Sequence, residues 1–184
     1  TQRRDGERLL ALAVQVVAQT QSGAGQRRAS GGPAPPAVPA DRGPWHHDLY
    51  IFESSNGSDF GGGRVLVERG GVPAIIRDEW DRLIAAFQWF PFDRRDAFDR
   101  IAVMFSYNDG RTWGKPQPIE VAGLPAGAMR PCDPTIVQLD DGRYRMYFTS
   151  HEPENRSPGT YSAISNDAIH YTFEPGRRFG ADGE

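Results

Sequence analysis

Ser106-Tyr107-Asn108-Asp109-Gly110-Arg111-Thr112-Trp113 decides how the rest of this chain is read. The stretch ends a β-branched and aromatic run at 100–106 and gathers turn-forming residues ahead of a tryptophan. Fainter copies flank it: Ser55-Asn56-Gly57 running on to Phe60, and Ser165-Asn166-Asp167 running on to Phe173. The anchoring serines stand 51 and 59 residues apart. A turn recurring at that period between strand-like runs predicts a repeat architecture.

Working outward, residues 49–53 lead into the first turn and 64–68 leave it. Residues 72–77 and 82–89 flank a turn at 78–81, and 118–121 follow the strong motif. The cycle restarts with 134–139, an Asp140-Asp141-Gly142 turn, 143–149, 159–165 and 171–174. Asp-Gly between such runs is a hairpin signal. Four antiparallel strands in 50–60 residues match one blade of a β-propeller, at roughly 40–50 residues per blade. A β-sandwich also uses many short strands, but gives no reason to repeat one turn after every third strand. The predicted fold is all-β: a partial propeller of about two and a half to three four-stranded blades. Residues 45–69 supply an outer half-blade, 70–122 a full one and 130–175 nearly another. So few blades leave open edges, which predicts further C-terminal blades or a partner chain to close the ring.

All 20 aromatic residues lie beyond residue 44, and 15 of the 23 residues at 22–44 are Gly, Ala or Pro. Residues 21–44 therefore read as a disordered linker and 45–184 as the folded part. Within 1–20, the run Leu9-Leu10-Ala11-Leu12-Ala13-Val14-Gln15-Val16-Val17-Ala18 is too short to span a bilayer as a helix. It reads as a short apolar helix or a signal-like segment, which leans localisation towards secreted or periplasmic and leaves it open. A net charge of -3 and the lack of a basic stripe argue against a phosphate-binding surface, so no nucleic-acid partner is predicted. The single cysteine, Cys132, excludes an intramolecular disulfide framework. His46-His47-Asp48 suggests a metal site, but adjacent histidines on an extended chain point to opposite sides. No metal and no cofactor are predicted.

The motif Ser106-x-Asn108-Asp109-Gly110-x-Thr112-Trp113 resembles the Asp-box of sialidases and related propellers, with Asn108 at the usual aspartate place. Ala168 stands in the third copy where a glycine is expected. Asp133-Pro134-Thr135-Ile136-Val137, followed by Asp141-Gly142-Arg143-Tyr144-Arg145-Met146-Tyr147-Phe148, resembles the blade opening of five-bladed arabinanase and xylosidase-type glycoside hydrolases. The resemblance implies that the Asp-box marks the far face. Residues before first strands, or in second-to-third loops, would then face a funnel mouth.

That rule selects Glu68, Arg69, Arg130 and Asp133, then Gln88, Trp89, Asp96, Asp99, His151, Glu152 and Glu154, with His46, His47 and Asp48 beside them. Glycoside chemistry needs one carboxyl to protonate the leaving group and another to activate water or attack. Asp133 and Glu152 are the candidate catalytic pair. Arg130, His151, Trp89, Gln88 and Arg69 are the candidate substrate contacts, with Trp89 as a stacking platform. The implied function is a carbohydrate-active propeller, a glycoside hydrolase of the sialidase-like or five-bladed group. The alternatives are a catalytically silent glycan- or protein-binding propeller and an assembly module.

Overall fold

Strand β5 (Leu83–Trp89) is buried along nearly its whole length, and its alternation shows why. Ile84 and Ala86 pack into one hydrophobic cluster, Ala85 and Phe87 into another. Strand β6 (Arg100–Ser106) repeats the pattern, with Ile101, Val103 and Phe105 on the first side and Ala102 and Met104 on the second. Side chains of a strand alternate between faces, so this sheet is apolar on both faces and must be covered on both.

A computed structural model describes residues 9–15, 43–153 and 157–179. They form three open sheets. The first has the order β1-β2-β3, with β1 Leu9–Gln15, β2 Asp48–Ser54 and β3 Gly61–Val67. The second runs β4-β5-β6-β7, with β4 Gly70–Arg77 and β7 Gln117–Pro118. The third runs β8-β12-β11-β10-β9, with β8 Glu120–Ala122, β9 Cys132–Gln138, β10 Tyr144–Ser150, β11 Gly159–Ser165 and β12 His170–Phe179. Leu49 of β2 meets Phe87 in one inter-sheet core, while Tyr144, Met146, Phe148 and Tyr161 of the third sheet meet Ile84 and Val103 in the other. The architecture is an all-β stack of open sheets, consistent with a partial propeller-like fold.

The sequence expectation is corrected in three places. Leu9–Gln15, which lies in the segment read as a short apolar helix or signal-like, is not helical but a strand paired antiparallel to β2, with Leu9 opposite Ser54 and Gln15 opposite Asp48. A short apolar run can serve as either element. Here the open edge of β2 offers backbone groups that need partners. The remainder of 1–20, and the predicted linker as far as residue 42, lie outside the described residues. Second, 118–121 is not one strand. Pro118 pairs with Ala102 in the second sheet, whereas Glu120 pairs with His170 in parallel in the third. The chain changes sheets between Ile119, whose N–H donates to the Ile101 carbonyl, and Glu120, whose N–H donates to that of Ile169. Third, the serine organising the first turn is Ser54, not Ser55. Its Oγ accepts the Gly57 N–H at 2.9 Å and donates to Asn56 Oδ1 at 3.0 Å.

The other two turns use the same bonds. Ser106 Oγ accepts from the Gly110 N–H at 2.9 Å and donates to Asn108 Oδ1 at 3.1 Å. Ser165 Oγ accepts from the Ala168 N–H at 3.0 Å and donates to Asp167 Oδ1 at 2.9 Å. Asn108 Oδ1 also takes the Thr112 N–H, and the Trp113 indole donates to the Gly110 carbonyl. Gly110 has φ 74 and Ala168 φ 65, so the turn needs a left-handed residue at this point.

Candidate functional site

The registers fix which residues share an end of the sheets. Gly70 faces Trp89, Trp89 faces Arg100, Cys132 faces Thr149, and Ser150 faces Gly159. The segments around Arg69, Gln88, Asp99, Arg130, Asp133 and His151 therefore crowd one rim. The Ser106 and Ser165 turns lie at the opposite end with the 78–82 hairpin. Arg69, Asp99 and Asp133 all have left-handed φ angles, 57, 58 and 53, and each stands at or just before the start of a strand. Left-handed non-glycine residues are uncommon and tend to mark strained or functional positions.

Asp99 organises the rim. Its N–H donates to the Trp89 carbonyl at 2.9 Å. Its Oδ1 accepts from Gln88 Nε2 at 2.9 Å and its Oδ2 from the Arg130 guanidinium at 3.3 Å. Arg130 also donates to the Phe98 carbonyl at 3.2 Å. Gln88 is buried, and its Oε1 is a buried acceptor with no partner. Arg130 and Asp99 are by contrast 59% and 44% exposed. An ion pair that open is worth about 0–1 kcal/mol, so either partner can turn to a ligand.

Asp133 is exposed, with Oδ2 3.6 Å from the Cys132 sulfur. Burial first, then the charge and hydrogen bond of Asp133 and the charge of Asp99, push the Cys132 thiol up to about 12. Cys132 is therefore no thiolate nucleophile at neutral pH. His151 Nδ1 lies 3.1 Å from the Glu152 carbonyl, and the His151 carbonyl accepts the Met129 N–H. Glu152 is exposed, and its carboxylate makes no hydrogen bond among the described residues. Glu154 lies outside them. Trp89 does not stand free as a platform: it packs against the cluster containing Phe87, and the Arg94 guanidinium lies 5.7 Å from its ring.

The sequence reading placed Asp99 among the mouth residues without choosing it, although it makes the contacts that join Gln88 to Arg130. It missed an aromatic block beside the rim. Trp45 meets Phe90 edge-on at 6.4 Å, Phe90 meets Phe98 at 5.8 Å, and Phe98 meets Phe92 at 6.1 Å. The density of phenylalanine at 87–98 was the available signal.

Two clefts are relevant. One of about 100 Å³ lies beside Arg130, lined by Arg100, Ile101, Ile119, Val121, Leu124 and Pro131. A larger groove of about 570 Å³ runs along the Ser106 turn at the opposite end. The polar side chains of Asn108 and Thr112 in that groove are bonded to each other within the turn. The rim has the exposed Arg130–Asp99 pair and the unpartnered Gln88 oxygen, and it is the better candidate.

No family model matches the sequence, and no curated protein matches it. Solved structures do resemble the fold. An endo-arabinase from Bacteroides thetaiotaomicron superposes with a TM-score of 0.54 at 18% identity, covering 75% of this chain and 55% of that one. A family 117 glycoside hydrolase from Zobellia galactanivorans gives 0.52 at 14%, covering 72% and 42%. An N-acetylgalactosamine deacetylase from F. plautii, in complex with blood group B trisaccharide, gives 0.52 at 13%, covering 72% and 46%. The chain spans about half the length of these relatives. At these identities the likeness is one of fold alone: an all-β arrangement shared with these solved structures.

Proposed function

We propose that this chain is part of a carbohydrate-active propeller that takes a glycan at the rim carrying Asp99, Arg130 and Asp133. The observation that carries this reading is the Gln88–Asp99–Arg130 chain. It presents a carboxylate and a guanidinium side by side at solvent, with a buried, unpartnered amide oxygen behind them. Sugars are recognised by such convergent donors and acceptors. The similarity of fold to carbohydrate-active enzymes supports the same choice. In the hydrolytic version, Asp133 and Glu152 act as the carboxyl pair, one as proton donor and the other as base or nucleophile. Arg130 orients the ligand, and Gln88 positions Asp99.

A second reading, glycan binding without bond cleavage, is favoured by the free Glu152 carboxylate. A general acid needs surroundings that hold it in place and tune it. Turnover on a panel of aryl-glycosides separates the two. Hydrolysis predicts a measurable rate that Asp133→Asn abolishes while the circular dichroism spectrum is kept. Binding on a glycan array without turnover selects the second reading, and no glycan binding at all refutes both.

A further inference from the structure

We infer that the end of the sheets opposite the rim carries a second site, an aromatic platform that holds a neutral sugar chain. This rests on the carbohydrate reading above for the class of ligand, and adds a place that holds the polymer away from the candidate carboxyl pair. The 78–82 hairpin and the Ser106 turn lie together there, because Leu83 is paired with Ser106. Each carries an exposed ring: Trp80 is 62% exposed and Tyr107 77%. Both rings lie 6.0 Å from the Arg82 guanidinium carbon, so they flank one cation and stand no more than twice that distance apart. Arg82 is itself fixed by Asp78 and the Tyr144 hydroxyl. Tyr107 also walls the groove of about 570 Å³, together with Trp113. The Trp113 indole donates to the Gly110 carbonyl at 3.0 Å, which fixes that ring too. Three rings thus share this end of the molecule, and clustered exposed aromatic surface marks a binding site.

The groups around the rings select the ligand. No charged residue lines the groove, whose polar side chains are Asn108, Thr112 and Gln117. The charges beside the exposed rings are used within the chain: Arg77 pairs with Asp109, Arg82 with Asp78, and Glu79 takes the Gln138 amide. A charged ligand would meet no counter-ion in the groove. A sugar offers apolar C–H faces to aromatic rings and hydroxyl edges to amides and hydroxyls, which is the mixture present here. Rings lose little conformational freedom when they take a ligand. Their spread over both the hairpin and the groove suits a chain of several sugars better than a single one. Interfaces between proteins place their aromatic anchors in a continuous apolar core, whereas Arg82 separates Trp80 from Tyr107.

Titration calorimetry of the whole chain tests this with xylohexaose, cellohexaose, mannohexaose and arabinohexaose, and with trigalacturonate and decaproline as charged and peptide controls. At least one neutral hexasaccharide should bind in a phase that Tyr107→Ala or Trp80→Ala weakens by roughly tenfold, with thermal melts confirming the fold of each variant. Tyr107→Phe keeps the ring and should hold the affinity to within about threefold. Loss of all binding in Tyr107→Ala upholds this site and overturns the rim reading. Binding undiminished by either alanine variant, or lost through Arg130→Ala alone, overturns the second site and leaves the rim reading standing. Trigalacturonate binding as tightly as the neutral chains in a Tyr107-dependent phase overturns the neutral assignment. Decaproline binding more tightly there than any sugar overturns the glycan, since aromatic grooves also take proline-rich peptides. No binding of any oligosaccharide overturns this site and the rim reading together.

Discussion

Removing the Asp78 carboxylate should damage the fold more than removing any exposed carboxylate in the chain. Its side chain is fully shielded from solvent. It accepts from the Trp80 N–H at 3.1 Å, the Arg82 N–H at 2.8 Å, Arg82 Nε at 2.8 Å and the Tyr144 hydroxyl at 3.0 Å. Arg82 also donates to the Tyr144 oxygen at 2.9 Å, closing a triangle between the β4–β5 hairpin and the third sheet. Partial burial opposes the Arg82 charge, but its bonds to Asp78, Tyr107 and Tyr144 outweigh that and raise its pKa.

Asp78→Ala strands two backbone donors, a guanidinium and a phenol. Breaking a buried charge pair from one side costs about 3–5 kcal/mol. At about 2–4 °C per kcal/mol for a domain of this size, the melting temperature should fall by roughly 10 °C. Tyr144→Phe removes two bonds to charged partners, the one donated to Asp78 and the one accepted from Arg82, but leaves the Asp78–Arg82 pair intact, and should cost about 1.5–3 kcal/mol. Urea unfolding followed by tryptophan fluorescence measures both. The double variant should show a coupling of about 1 kcal/mol or more, because the two groups share one network. A loss below about 1 kcal/mol for Asp78→Ala, or full additivity, would refute an inter-sheet lock at this hairpin.

Two further outcomes follow from the turns. Ala168→Gly should be nearly neutral in stability, since relief of about 1 kcal/mol of left-handed strain is offset by about 0.8 kcal/mol for a buried methyl group; a gain or loss above about 1.5 kcal/mol in urea melts would contradict this. The second concerns the Asp167–His170 pair, 2.7 Å apart. The hydrogen bond and charge of Asp167 raise the His170 pKa above its usual 6.5. Burial alone would raise the Asp167 carboxyl, but bonds from the His170 ring, the His170 and Ile169 N–H groups and Ser165 hold it low. The histidine contribution is complete below the unfolded value and fades as pH rises through the raised folded value. The carboxylate contribution fades as pH falls below about 3.8 towards its depressed value. The melting-temperature deficit of His170→Gln should therefore be largest near pH 5–6 and shrink by pH 9; a pH-independent deficit would show that the charge plays no part.

Most strands were legible because their pattern is local: Arg100–Ser106 and Gly159–Ser165 read from sequence as they fold. What misled is non-local. The helix-like run at Leu9–Gln15 becomes a strand only because β2 has an edge to pair, and nothing within those seven residues announces β2. Residues 118–121 look like one strand, yet Ile119 is hydrogen-bonded to the second sheet and Glu120 to the third. Ser54 and Ser55 are chemically identical, and only strand register decides that Ser54 lies beneath the turn. At the rim the sequence offered carboxylates and arginines without their pairing. The bond from Gln88 to Asp99 depends on a hairpin eleven residues wide, and the one from Arg130 on the packing of two sheets.

The two ends of the sheets differ in how their left-handed residues are secured. At the far end, Asp109 is paired with Arg77 and Ala168 is fixed by Ser165, so the bonds are made within the protein. Gln138 adds to them by accepting the Glu79 N–H at 2.8 Å and donating a hydrogen bond from its Nε2 to the Glu79 carboxylate at 3.1 Å. Sheets two and three are thus tied by Asp78, Tyr144, Glu79 and Gln138 where the turns lie. The rim is relieved of that role. There, among the described residues, Asp99 is held by a neutral amide and an exposed arginine, the Asp133 carboxylate has a long hydrogen bond from a protonated thiol, and Arg69 has a ring in place of a counter-ion. Polar groups left incompletely paired at one end of a well-tied stack cost stability, and a ligand supplying the missing partners would recover it.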